Sequence, residues 1–171
     1  MDYRSLIRDI PDFPKEGILF KDITPLLANR KALDSAIADM AAPYKSANVD
    51  MVIGIESRGF LFGPGVASHL DCGFAPVRKP GKLPYQTESQ SYDLEYGSDT
   101  LEIHIDAVRP GGNVLIVDDL LATGGTASAA VKLVEKVGGK VAGFSFVIEL
   151  AFLNGRNHLG GAPVNALIEY S

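Results

Sequence analysis

Two adjacent carboxylates, Asp118 and Asp119, lie a few residues ahead of Thr123-Gly124-Gly125-Thr126, and this pairing has the clearest chemical content in the chain. Two glycines flanked by threonines let backbone N–H groups face outward at the start of a helix, with hydroxyls as extra donors. Such a turn cradles a phosphate. Carboxylates beside a bound phosphate repel it unless they serve another part of the same ligand. Ribose hydroxyls meet that condition, because a carboxylate accepts hydrogen bonds from O–H donors. A ribose 5-phosphate spans about two residues of extended chain, on the order of 7 Å, so acids and turn suit the two ends of one sugar phosphate. The plainer reading is an ordinary strand-to-helix turn with surface acids. A P-loop does not fit, since Thr126 and not lysine follows Gly125. A dinucleotide-binding turn does not fit either, because its glycines precede the acid by about 20 residues and here the acids come first.

These residues need a strand and a helix to hold them. Val114-Leu115-Ile116-Val117 is an unbroken apolar run of the kind found in central parallel strands, and residues 127–136 carry helical spacing. The turn then falls at a strand's carboxyl end, where open α/β sheets place their ligands. Residues 50–55, 73–77, 141–150 and 164–170 read as further strands, and residues 30–45 as a helix with Leu33, Ile37, Met40 and Ala41 on one face. Residues 2–10 read as a short helix stopped before Pro11, residues 11–17 as a loop, and residues 17–23 as a brief extended piece. Thr24-Pro25 follows as N-cap and first helical position. Gly138-Gly139 ends the helix after the central turn, and residues 152–159 make one or two helical turns. On spacing alone Phe20 is a core residue, Arg58 is a solvated residue at a capped helix start, and Glu95 is a surface residue of a strand. Arg78-Lys79-Pro80-Gly81-Lys82 is the one cationic cluster, by itself a solvated turn, although a ligand with several phosphates would need it close by. Residues 91–96 and 100–105 alternate like the arms of a hairpin, and residues 85–99 have the length and polarity of a mobile lid.

The 171 residues suit one domain, and the net charge of −5 argues against a nucleic-acid or anionic-membrane surface. Phosphate binding must then be local. Cys72 is the single cysteine, so no internal disulfide forms, and His69, His104 and His158 share no metal-ligand spacing. No apolar stretch is long enough to span a bilayer and no signal peptide is visible, so the expectation is a cytoplasmic protein.

Val117-Asp118-Asp119-Leu120-Leu121-Ala122-Thr123-Gly124-Gly125-Thr126 resembles the phosphoribosyl-diphosphate signature of type I phosphoribosyltransferases. The resemblance, to the members acting on adenine, extends through Phe13-Pro14, Phe20-Lys21-Asp22-Ile23, Glu56-Ser57-Arg58-Gly59-Phe60, residues 78–84 and Leu94-Glu95-Tyr96-Gly97, nearly the whole chain. It implies an α/β fold with a mostly parallel central sheet flanked by helices, as one domain over residues 1–171. A small base-binding hood (residues 1–30) and a mobile lid hairpin (residues 78–105) complete it. The implied reaction moves the ribosyl 5-phosphate of phosphoribosyl diphosphate to adenine, giving AMP and diphosphate. The resemblance puts Ala122, Thr123, Gly124, Gly125 and Thr126 on the 5-phosphate and Asp118 and Asp119 on the ribose. It puts Ser57, Arg58 and Lys82 on the diphosphate, with Arg78 and Lys79 as further contacts, and it implies a cis peptide between Glu56 and Ser57. Phe20 would stack on adenine, with Leu19 and Lys21 as backbone contacts. Glu95 would manage a proton on the base and Tyr96 would close over the site. Mg²⁺ would arrive with the donor, held through substrate and water and not by a direct protein ligand, and the assembly would be a homodimer.

Ala122 is the informative position for substrate choice, because the hypoxanthine-guanine relatives carry an aspartate there that faces the base. Two other readings stay open: a transferase for xanthine or orotate, and a regulator that senses phosphoribosyl diphosphate without turning it over.

Overall fold

A computed structural model describes residues 1–93 and 97–171. Five parallel strands form its centre: β3 (Met51–Ile55), β4 (Gly73–Val77), β7 (Asn113–Leu121), β8 (Lys140–Leu150) and β9 (Val164–Tyr170), in the order β4-β3-β7-β8-β9. The chain winds outward from β3 to β4 on one side and from β7 through β8 to β9 on the other. Its connections therefore diverge between β3 and β7, and a crevice opens there beyond the strand ends. The pairing of β3 with β7 stops at Gly54 and Val117, while β8 stays beside β7 as far as Leu121. The last residues of β7 thus stand up as one wall of that crevice.

The period-2 alternation of β7 builds two cores. Val114 and Ile116 face one layer with Leu133, Val134, Phe144 and Phe146, beneath helix α4 (Gly125–Lys136). Leu115 and Val117 face the other with Met40, Phe62, Val66 and Val147, beneath α2 (Arg30–Ala41) and α3 (Gly63–His69). Burial on both faces explains why the strand reads as a continuous apolar run.

Three local expectations change. Residues 2–10 are a 3-10 turn, Arg4–Leu6, followed by strand β1 (Arg8–Pro11), which pairs antiparallel with β2 (Leu19–Asp22) and sets Ile10 opposite Phe20. The ladder with a distant segment overrides local helical pattern, and Pro11 is tolerated at the end of an edge strand. The short helix α1 is Thr24–Ala28, so Thr24 is the first helical residue. Its capping acceptor is Asp22, whose carboxylate takes the Thr24 N–H at 2.9 Å and hydroxyl at 2.8 Å. Helix α2 ends at Ala41 and not at residue 45, because Pro43 restricts the residue before it, and a 3-10 turn, Ala42–Tyr44, follows. Its innermost residues are Ala32, Ala36, Met40 and Ala41, with Leu33 and Ile37 only part-buried beside them.

Strands β5 (Thr87–Asp93) and β6 (Ser98–His104) form an antiparallel hairpin above α4. Leu101 and Ile103 of β6 are buried in the core under that helix, and paired N–H···O=C bonds between Arg78 and Glu102 tie the hairpin's base to the end of β4.

Candidate functional site

Strand β7 carries both aspartates inside its hydrogen-bonded length and continues to Leu121, so the acids belong to the strand and the turn begins at Ala122. Gly124 then takes φ +87°, a left-handed conformation that favours glycine, and serves as the N-cap of α4. Its carbonyl accepts from Ser128 N at 2.8 Å. No side chain caps the helix, so the first-turn N–H groups remain for a ligand. Acids and turn line a single cavity of about 360 Å³, bounded by residues 118–127 on one side and by residues 56–58, Lys79, Tyr92, Asp99 and Leu101 on the other. This is the juxtaposition that a sugar phosphate requires.

The acids differ in their surroundings. Asp119 is buried and ion-paired, its Oδ2 2.9 Å from Nε of Arg58. Asp118 is part-buried, and its Oδ1 accepts from Asp119 N at 2.9 Å. Desolvation, reinforced by the negative charge of Asp119, raises the Asp118 carboxyl well above the usual range. Desolvation also raises Asp119, against the pull of the Arg58 cation. Two neighbouring carboxyls of this kind prefer not to ionise together until something with donors or positive charge joins them.

Arg58 lies on a 3-10 turn, Arg58–Leu61, after the Glu56–Ser57 peptide, which is cis as the resemblance implies. Its guanidinium also stands over the ring of Phe20, 5.2 Å from the centroid, and Phe20 meets Phe13 edge to face at 5.1 Å. One cation thus links the acid wall to β2. Leu19, Phe20 and Lys21 all belong to β2 and lie outside the cavity lining; Leu19 is exposed, and Lys21 pairs with Asp9 at 2.6 Å.

The cationic cluster divides. Lys79 reaches the cavity, paired there with Asp99 of β6, and this contact raises the lysine pKa and lowers that of the carboxyl. Arg78 does not line the cavity. It forks onto Glu56 through Nε at 3.2 Å and a terminal nitrogen at 3.4 Å, and Glu56 also accepts from Lys79 N at 2.9 Å. Burial opposes the charge of Glu56, but these donors outweigh it and hold the carboxyl below its ordinary value. Lys82 is exposed beyond the cavity, its carbonyl 3.4 Å from Arg78. Ser57 is exposed on the cavity rim. Glu95 and Tyr96 lie outside the described residues.

Spacing alone does not mark three of the lining residues. Tyr92 accepts from the Thr126 hydroxyl at 3.3 Å and donates to Asp99 at 3.4 Å, so the hairpin closes against the turn. Glu56 and Asp99 each hold a cation of the cluster, and only the place of Glu56 beside Ser57-Arg58 and that of Asp99 at the end of the residues 85–99 segment pointed toward the site.

A crevice at the divergence of a parallel sheet, with an acid pair and an uncapped glycine turn on one wall, agrees with the match of residues 23–164 to the phosphoribosyl transferase domain. The chain belongs to the phosphoribosyltransferase family. Its relatives there place it more narrowly, among the adenine phosphoribosyltransferases. That of Maridesulfovibrio salexigens is 56% identical over 169 residues, 99% of each chain. The crystal structure of the enzyme from Thermoanaerobacter pseudethanolicus superposes with a TM-score of 0.95 at 53% identity, over 99% of this chain and 98% of that one. The enzyme from Saccharomyces cerevisiae, complexed with D-2,5-dideoxy-2,5-imino-altritol 1,6-bisphosphate and adenine, gives 0.91 at 44% identity, over 97% and 96%.

Proposed function

We propose that this chain is a purine salvage transferase that moves the ribosyl 5-phosphate of phosphoribosyl diphosphate onto adenine, giving AMP and diphosphate. The observation that carries this reading is the single cavity on which Asp118 and Asp119 meet the residues 122–126 turn, in a chain more than half identical to adenine phosphoribosyltransferases along its full length. The bond between C1′ and the diphosphate oxygen breaks and a bond from C1′ to a ring nitrogen of adenine forms, through a transition state with positive charge on the sugar. Negative charge grows on the departing diphosphate, and cations fixed in advance stabilise it. Arg58 and Lys79 are on the cavity for that role, with Ser57 beside them as a neutral hydroxyl donor, and Arg78 and Lys82 join from its edge. The turn's N–H groups and the Thr123 and Thr126 hydroxyls hold the 5-phosphate. The aspartates accept from the ribose hydroxyls, and Arg58, already over Phe20, is released toward the diphosphate as Asp119 takes up its ligand. Adenine stacks on Phe20 beside the Leu19 and Lys21 backbone, Glu95 handles the base proton, and Tyr96 covers the site.

Among the described residues no group of three or more His, Cys, Asp or Glu side chains could hold a metal ion. Asp118 and Asp119 fit a magnesium ion that the donor carries in, met through water, and such an ion would supply further charge to the leaving group. Among the described residues no helix is long and apolar enough to cross a membrane. We place the enzyme in the cytoplasm as a homodimer, and light scattering on the purified protein tests the assembly.

Incubation with adenine, phosphoribosyl diphosphate and Mg²⁺ should yield AMP and diphosphate in equal amounts. Turnover of xanthine or orotate in place of adenine, or donor binding without turnover of any base, would overturn the reading. The replacement of both Asp118 and Asp119 by Asn should weaken the donor far more than adenine. Ala122 brings no carboxylate to the base, which favours adenine over a 6-oxopurine.

A further inference from the structure

The phosphate turn rests on a segment that the reaction itself does not use. After β8 the chain makes a 3-10 turn, Ala151–Leu153, passes Asn154 at φ +54°, and makes a second turn, Gly155–His158. Gly155 is buried directly under the phosphate turn. A Cβ on Gly155 would stand 2.3 Å from the Ala122 carbonyl oxygen, and a Cβ on Gly124 would stand 2.5 Å from the Gly155 carbonyl oxygen. Backbone is packed on backbone in both directions, so neither segment can shift without the other.

The next residue fixes that contact. Arg156 forks onto Glu149, Nε to Oε1 at 2.7 Å and a terminal nitrogen to Oε2 at 2.5 Å, while its other terminal nitrogen donates to the Val164 carbonyl at 3.0 Å. Glu149 is 3% exposed on β8 and is the register partner of Leu121, the last residue of β7 before the turn. The pair therefore links the two ends that define the turn's height: the strand from which it leaves and the segment on which it lies. A bidentate arginine–carboxylate contact has a definite geometry as well as a charge, which suits it to hold a position.

We propose that Arg156 and Glu149 are positioning residues for the 5-phosphate: their fork holds Gly155 against Ala122 and Gly124 and so sets the turn's amides at the right distance from the ribose-binding acids. The proposal rests on the reading of residues 122–126 as the 5-phosphate turn. Neither side chain lines the cavity.

The test compares binding of AMP and adenosine, which differ only in the phosphate, by calorimetry on the full chain. Arg156→Gln should weaken AMP by about tenfold or more, since a displacement on the order of 1 Å in a positioning contact costs up to about a hundredfold, and should leave adenosine within about twofold. In turnover the KM for the donor should rise more than kcat falls. Arg156→Lys should recover only part of the loss, because an ammonium cannot form the fork. Gly155→Ala moves the same contact with the ion pair intact and should reproduce the AMP-selective loss, and it decides the matter if Arg156→Gln does not fold. An unchanged preference for AMP over adenosine in folded Gly155→Ala, or in folded Arg156→Gln, would overturn the proposal. Thr126→Ala separates the two levels: if it too leaves the preference unchanged, the phosphate reading of the turn fails; if it weakens AMP while the other variants do not, only the positioning role fails.

Discussion

Arg58 and Asp119 are paired at 2.9 Å across the crevice, one on the turn after β3 and the other near the end of β7. In the proposed reading, the cation assigned to the diphosphate is thus held by the carboxylate assigned to the ribose. The arrangement keeps a buried acid satisfied, and in that reading the donor's two ends would compete for partners already in contact with each other.

The acid pair should cost stability. Burial and the neighbouring charge raise the Asp118 carboxyl in the native state. From the unfolded pKa up through the folded one, the native chain holds the additional proton, and stability falls as pH rises. Asp118→Asn removes that loss while keeping an acceptor for Asp119 N. Its melting temperature at pH 7 should exceed that of the parent by about 2–4 °C, the shift of roughly 1 kcal/mol in a domain of this size. The gain should shrink toward zero near about pH 3, where the carboxyl is protonated in both states. A variant that melts lower than the parent at pH 7 would contradict this.

Gly59 is where the turn after β3 touches β7. A Cβ there would meet the Val117 carbonyl oxygen at 2.7 Å and Asp118 Oδ1 at 3.1 Å. Gly59→Ala should fold with a loss of about 1–3 kcal/mol, the usual cost of overpacking, and should lower kcat/KM by about tenfold or more because Arg58 and Asp118 move apart. Denaturant melts and steady-state assays check both; a fully active variant would mean that the crevice walls are adjusted independently.

Lys79 and Asp99 are paired with 45% and 24% of their side-chain surface exposed, so the contact is worth about 0–1 kcal/mol after screening. A diphosphate that uses Lys79 must displace Asp99. Asp99→Asn should therefore bind inorganic diphosphate more tightly, by up to about fivefold, and the gain should fade at high salt. Weaker binding in the variant would show that Asp99 assists the diphosphate and does not oppose it.

Glu95 is assigned through the Leu94-Glu95-Tyr96 resemblance. Glu95→Gln should lower kcat by about a hundredfold, as for loss of a general acid–base group, with modest change in KM for either substrate, because the contact is made in the transition state. Wild-type turnover would remove the assignment.

The consecutive residues from Val114 to Thr126 determined most of what could be read directly: an apolar strand, two acids, a glycine turn and a helix start, all set by short-range pattern. The existence of the parallel strands around them was legible from the same kind of pattern, because two-sided burial leaves largely apolar runs in β3, β7 and β8, but their order was not. Tertiary structure decided the rest. Residues 8–11 became a strand because β2 offered them a ladder, and β7 kept its acids in register because β8 continued beside it. Arg58 on Asp119, Lys79 on Asp99 and Gly155 under Gly124 join residues far apart in the chain. No spacing rule encodes such contacts: their partners meet only once the sheet and its crevice exist.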